Sequence, residues 1–291
     1  MIIEQAYAKI NLLLDVLCKR ADGYHEVDMI MQTISLHDQI RLREIPSGIA
    51  LKVAGAELAA DESNLAYKAA QLFLAETKID RGVEIELVKH IPMEAGLAGG
   101  SADAAAVLRG LNRLFQTDLS IAQLQILSTR IGSDVAFCIK GGTARAVGRG
   151  EKILQLPELP QCWLVVFKPD FGISTAWAYS QFARYETELV HPDMDAMLTA
   201  LANNNITQIA DCLGNVLELV SVGKYPQINN IKSSLRENGA FGSLMSGSGT
   251  AVYGLFEDAG RANIAKVSLQ NIFSGKGYVC EIKNSYLGEQ L

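Results

Sequence analysis

The sequence predicts an α+β protein of two domains, and three observations carry that reading. At 291 residues, 49% hydrophobic and 20% charged, the chain holds enough apolar material for two cores of ordinary size. Strand-like and helix-like periodicities are mixed along its whole length. A stretch with two prolines, I-L-Q-L-P-E-L-P-Q at residues 153–161, interrupts them and marks a junction. Residues 1–155 and 156–291 are the two domains expected on this basis.

The elements follow in order. Ile10, Leu12, Leu14 and Val16 alternate along one face of an opening strand, which places Lys9 and Asn11 side by side on the other. A helical pattern covers residues 65–77. Val83, Ile85 and Leu87 alternate with Glu84 and Glu86, the signature of a half-buried strand. Ala104, Val107, Leu108, Leu111, Leu114 and Phe115 recur at helical spacing, and a shorter helix is expected near residues 121–131. Beyond the junction come a strand at 163–167, several helices, a helix stop at Gly239, and strands near 252–256 and 278–282.

Charge and cysteine usage remove several function classes. Against 32 acidic residues stand 26 basic ones, for a net charge of −6, and no basic stripe stands out. Nucleic acid is not an expected partner. The five cysteines (Cys18, Cys138, Cys162, Cys212, Cys280) are scattered, with neither a C-x-x-C nor a Cys/His cluster, so reduced thiols in a cytoplasmic protein are expected and a zinc site is not. The first residues read as a strand rather than a signal peptide. No apolar run is long enough for a membrane span.

The chemistry concentrates in three small-residue loops. The first is Pro92-Met93-Glu94-Ala95-Gly96-Leu97-Ala98-Gly99-Gly100-Ser101-Ala102-Asp103, set between a strand and a helix start. That arrangement turns free backbone N–H groups and a positive dipole end toward an anion. Glycine lets a phosphate approach those amides closely. The loop fits neither the Walker A pattern nor G-x-G-x-x-G, and taken alone it is equally a tight connection with no ligand. The second loop, Gly132-Ser133-Asp134-Val135, leads on to Lys140-Gly141-Gly142-Thr143. Asp134 there is either a helix cap or a general base. The third, Ser246-Gly247-Ser248-Gly249-Thr250, is flanked closely by apolar residues and reads as a tight turn lining a pocket. By default Lys9 is a solvated strand residue, and Asp22-Gly23-Tyr24-His25 is a surface turn.

Taken together, these motifs resemble one family. A-K-I-N-L-x-L with D-G-Y-H-E, G-L-A-G-G-S-A-D-A-A, G-S-D-V-A-F, G-R-G-E and M-S-G-S-G keep their order across residues 6–250. The chain thereby resembles the galactokinase, homoserine kinase, mevalonate kinase and phosphomevalonate kinase (GHMP) superfamily, and D-G-Y-H-E points to its branch with a cytidyl diphosphate substrate. The resemblance implies an N-terminal domain like ribosomal protein S5 and a C-terminal domain like the ferredoxin-like α+β sandwich. It implies ATP, with Mg²⁺, as co-substrate. The implied reaction is phosphorylation of the 2-hydroxyl of 4-(cytidine 5′-diphospho)-2-C-methyl-D-erythritol, in non-mevalonate isoprenoid synthesis. A mevalonate- or homoserine-type kinase, or a non-catalytic sensor on the same fold, is the alternative; retention of D-G-Y-H-E and of Lys9 and Asp134 argues against them. The resemblance leaves open whether the chain is a monomer or a homodimer.

The same resemblance implies roles by residue. Residues 92–103 wrap the ATP phosphates, Asp134 accepts the hydroxyl proton, and Lys9 pairs with Asp134 and steadies the transferred phosphoryl group. Asn11 holds the erythritol hydroxyls. Tyr24, His25 and Tyr179 meet the cytosine, and Lys140 the diphosphate, while Ser246, Gly247, Ser248 and Gly249 close the pocket. No residue is assigned to a metal, and Asp103 is read as complementing the helix dipole. Ala98 and Ala102 depart from the family pattern, which has glycine and serine there. An alanine at 98 implies either φ below zero or a small strain, and φ below zero is the working expectation.

Overall fold

The structure, a computed structural model, describes residues 1–182, 184, 185 and 189–284. The first part of the chain forms β1 (Ile2–Lys19), β2 (His25–Ile45), β3 (Ile49–Ala54), α1 (Leu65–Thr77), β4 (Gly82–Val88) and α2 (Gly99–Phe115). It continues through α3 (Ile121–Ser128), α4 (Val135–Lys140), β5 (Thr143–Gly148) and β6 (Lys152–Gln155). The second part opens with β7 (Trp163–Pro169), α5 (Thr175–Phe182), α6 (Met194–Ala202), α7 (Ile206–Asp211) and β8 (Gly214–Asn215). It closes with α8 (Glu218–Lys224), α9 (Gln227–Glu237), β9 (Ser243–Met245), β10 (Val252–Phe256), α10 (Ala259–Ile272) and β11 (Gly275–Glu281).

Two sheets organise these elements into the expected α+β architecture. The first runs β3-β4-β2-β1-β8, with β5 and β6 branching from β2. The second runs β11-β7-β10-β9 and is antiparallel throughout. The two parts of the chain are stitched together. β8 adds to β1 in parallel at Leu13 and Leu14, and Ile282 bridges back to Ile34 of β2.

β1 departs from the half-buried strand that its alternation predicts. Leu12, Leu13 and Leu14 are all buried, and so are Lys9 and Asn11. The reason is its central position. β2 and β8 flank it, α2 packs against it, and Tyr253 and Ser246 of the second part reach its backbone at Asn11. Register shifts on either side of the Lys9–Asn11 stretch alter which way its side chains aim.

The two helices nearest the site start differently. The Asn64 side chain caps α1 by accepting from the Ala66 N–H at 3.0 Å. α2 begins at Gly99, ahead of the apolar period that predicts it from Ala104. Gly99, Gly100 and Ser101 add no hydrophobic signal, so the first turn is invisible to periodicity. Gly239 follows α9 with φ 93, the left-handed stop expected of it. Burial pushes the thiols of Cys138, Cys162 and Cys280 up to about 12, which leaves them protonated and inert.

Candidate active site

A cavity of about 1000 Å³ opens between the two parts. Every residue of the 92–103 loop lines it except Ala102, which turns into the core. The loop is held from both sides. The Lys9 N–H donates to Leu97 O at 3.1 Å, and the Ala251 N–H donates to Ala95 O at 3.1 Å. Ser246 Oγ donates to Gly96 O at 2.9 Å. At Gly96, φ is 72, and a Cβ would stand 1.9 Å from Ser246 O, so no side chain fits at this crossing.

Ala98 corrects the working expectation of negative φ and realises the strained alternative. It stands at φ 55, ψ 31, in the left-handed region, as the N-cap of α2. The chain turns sharply into the helix here, and Ala98 O accepts the first helical hydrogen bond from Ala102 N at 2.8 Å. Alanine holds a conformation that glycine adopts without cost.

Lys9 and Asp134 meet at this cavity. Their Nζ–Oδ2 distance is 3.6 Å. Lys9 Nζ also donates to Asn11 Oδ1 at 2.7 Å. Asp134 occupies the N-cap position of α4, yet its side chain makes no capping bond. The carboxylate is therefore free of the structural duty that its sequence position suggests. Asn11 is fully buried and does not line the cavity. Its contact with the site runs through Lys9, whose ammonium donates to its Oδ1, whereas the sequence expectation gives it the substrate hydroxyls.

The aromatic residues gather beside the pair. His25 and Tyr179 lie with ring centroids 5.1 Å apart, tilted by 32°. Tyr179 comes from α5 and meets His25 at the start of β2, lining the cavity while also packing against the core. Burial, with a lesser push from Asp134, raises its hydroxyl above the usual tyrosine range. Tyr24 is 55% exposed and carries the Arg149 guanidinium 5.0 Å from its ring centroid. Gly150, next to Arg149, packs near Asp134: a Cβ there would lie 3.9 Å from Asp134 Oδ1. Arg149 and the aromatic rings thus lie on the Asp134 side of the cavity, and the backbone of Lys9 ties the pair to the 92–103 loop.

Other expected site residues take different places. Lys140 ends α4 and does not line the cavity. Of the third loop, Gly247 and Ser248 line it, whereas Ser246 is buried as the loop's anchor and Gly249 also lies outside the lining. Ser248 Oγ shares a 2.9 Å hydrogen bond with Thr175 Oγ1 at the start of α5. Asp103 does not serve the helix dipole alone, for it is paired with Lys89.

Sequence reading missed Arg149, Lys19, Lys89 and Asn64, all of which line the cavity. Arg149 stood inside the G-R-G-E motif, the one signal that pointed to it. Nothing in the spacing of the other three separates them from surface residues. Among the described residues, no group of three or more His, Cys, Asp or Glu is placed to hold a metal ion, and no helix is long and apolar enough to cross a membrane.

Comparison with known proteins adds the lineage. The chain matches the GHMP kinases N terminal domain over residues 64–142 and the GHMP kinases C terminal over residues 197–275. It is 47% identical over 279 residues to the 4-diphosphocytidyl-2-C-methyl-D-erythritol kinase of Geobacillus thermodenitrificans, across 95% of this chain and 93% of that protein. The kinase of the same name from Acetivibrio thermocellus is 46% identical over 267 residues, across 92% and 94%. A crystal structure of 4-(cytidine 5′-diphospho)-2C-methyl-D-erythritol kinase is similar at a TM-score of 0.82 and 34% identity, over 97% of this chain and 99% of that one. The mevalonate kinase of L. major shares the fold, at a TM-score of 0.76 and 17% identity over 98% and 96%.

Proposed function

Because the chain belongs to the 4-diphosphocytidyl-2-C-methyl-D-erythritol kinase family of the GHMP kinases, we propose that it moves the γ-phosphoryl group of ATP onto the 2-hydroxyl of 4-(cytidine 5′-diphospho)-2-C-methyl-D-erythritol. One observation carries this reading. The Lys9–Asp134 pair joins a glycine-rich loop at a helix N-terminus to a cluster of aromatic rings and a guanidinium. A phosphate site and a base-recognition site thus share one cavity, with a proton acceptor between them.

The roles follow from that arrangement. The amides at the start of α2 hold the triphosphate, and the helix dipole favours its charge. Mg²⁺ enters with ATP as part of the nucleotide substrate. Asp134 takes the proton from the attacking hydroxyl. Lys9, oriented by Asn11, neutralises charge spreading over the transferred phosphoryl oxygens. Tyr179 and Tyr24 offer ring faces to the cytosine, and His25 offers a hydrogen-bonding edge. Arg149 and Lys19 take the place of Lys140 as the cations for the substrate diphosphate, since both line the cavity. The domains divide near residue 155, and the reaction runs in the cytoplasm, where five unpaired thiols stay reduced.

An ADP-release assay with the cytidyl substrate, run beside mevalonate and homoserine, tests the proposal. Turnover confined to the cytidyl substrate is expected. Preferential turnover of either other alcohol would overturn it.

A further inference from the structure

Beneath the phosphate loop lies a group of buried charges that the phosphoryl transfer does not use. Lys89 follows β4, and its ammonium bonds two carboxylates, Asp38 of β2 and Asp103 of α2, the second at 2.7 Å. All three residues are buried. The two carboxylates are unequally supplied with donors. Asp38 also accepts from the backbone N–H groups of His90 and of Ile91, the latter at 2.8 Å. Asp103 accepts from Lys89 through Oδ2, and its buried Oδ1 has no partner.

One ammonium between two ionised carboxylates leaves a net negative charge where water is excluded, and such an imbalance is costly. A proton on the Asp103 carboxyl removes that excess charge and with it the cost of an ionised oxygen that no donor reaches. Burial pushes Asp103 up to about 7, with Lys89 opposing the shift and Asp38 adding to it. The elements packed on α2 offer few other charges. α1 brings Ala66, Ala69, Ala70 and Phe73, and α4 brings the neutral thiol of Cys138. From β1 come Lys9, held by Asn11 and Asp134, and Glu4, held by Arg109 and Arg113.

The group sits at the phosphate site itself. Lys89 and Asp103 line the cavity with Gly99 and Ser101, and a Cβ at Gly99 would lie 3.3 Å from Lys89 Nζ. We propose that Asp103 takes up a proton from solvent as the triphosphate docks, so that ATP binding and protonation of the Asp38–Lys89–Asp103 cluster favour each other. The inference rests on the ATP reading above. Phosphate charge beside Asp103 disfavours its ionised form, and by linkage the protonated form binds the nucleotide more tightly.

Calorimetric titration with a non-hydrolysable ATP analogue and Mg²⁺, at pH 8 in two buffers of different ionisation enthalpy, tests this directly. The wild-type heat should depend on the buffer, with uptake approaching about one proton per nucleotide. Asp103→Asn should bind with a smaller buffer dependence, since only protons taken up elsewhere remain. Above pH 7 the wild-type affinity should fall relative to Asp103→Asn by up to about tenfold per pH unit. Clear binding with buffer-independent heat, or an unchanged buffer dependence in Asp103→Asn, would overturn the proton-uptake inference and leave the ATP reading standing. An absence of nucleotide binding would overturn both. Should Asp103→Asn fail to fold, infrared difference spectra of the wild type decide the matter: nucleotide must increase the protonated-carboxyl band, and no increase refutes the inference.

Discussion

Lys9 and Asp134 face each other at 3.6 Å with unequal exposure, 4% for the lysine side chain and 30% for the aspartate. The ammonium is locked in place by Asn11, while the carboxylate keeps an open side toward the cavity. A fixed cation beside an accessible base is what an alcohol needs to lose its proton and attack a phosphoryl group.

Asp134→Asn keeps the shape and removes the base. We expect kcat to fall by roughly 10²–10⁴-fold, with ATP affinity nearly unchanged because the loop amides hold the phosphates. Steady-state kinetics beside nucleotide titration checks this. Near-normal turnover would contradict the role.

Asn11→Ala separates the two readings of that residue. As the partner that orients Lys9, its loss should lower kcat and leave KM for the cytidyl substrate close to the parent value. A selective rise in that KM would restore the sequence-based expectation of direct substrate contact.

Much of this site is legible from the sequence because its motifs combine glycine, serine and single charges at recognisable spacings. The 92–103 loop, Asp134, His25 and Tyr179, all singled out on those motifs, line the cavity. What stays hidden depends on the third dimension. The burial of Asn11 follows from β8 and Tyr253 closing on β1, segments more than 200 residues away in sequence. The Lys89–Asp103 pairing likewise needs the residue after β4 and the second turn of α2 folded face to face. Lys140 misleads because its place in a glycine-rich stretch says nothing of which way α4 points.

Ala98 carries a backbone conformation that costs an alanine about 1 kcal/mol or more. Ala98→Gly should therefore stabilise the protein by up to about 1 kcal/mol, the relief of strain exceeding the added freedom of the unfolded chain. Chemical denaturation measures the difference. A loss of stability would show that the methyl group contributes packing that outweighs its strain.

Tyr179→Ala should raise KM for the cytidyl substrate by about 5- to 150-fold, the range of roughly 1–3 kcal/mol for stacking on a base. KM for ATP should hardly move. Tyr179→Phe should keep most of the affinity, since the ring remains. A drop in thermal stability with no selective effect on the cytidyl substrate would make Tyr179 a packing residue.

Asp103 also sets a pH dependence of stability. Its carboxyl stays protonated in the folded protein up to about 7, whereas in the unfolded chain it ionises near 4. Folding thus takes up a proton inside that window, and stability falls as pH rises through it. Relative to Asp103→Asn, the wild type should lose stability as pH rises between these limits, by at most about tenfold in the folding equilibrium per pH unit, and nothing further above them. Urea unfolding at several pH values would reveal the difference, and parallel curves for the two proteins would exclude it.

The most direct test of the account is phosphorus NMR of a reaction containing the protein, ATP, Mg²⁺ and 4-(cytidine 5′-diphospho)-2-C-methyl-D-erythritol. The account predicts a new phosphomonoester signal that grows with ADP, one for one, while the substrate's diphosphate signals persist, and that grows roughly 10²–10⁴-fold more slowly with Asp134→Asn. ADP formation without that monoester, or an undiminished signal from Asp134→Asn, would contradict it.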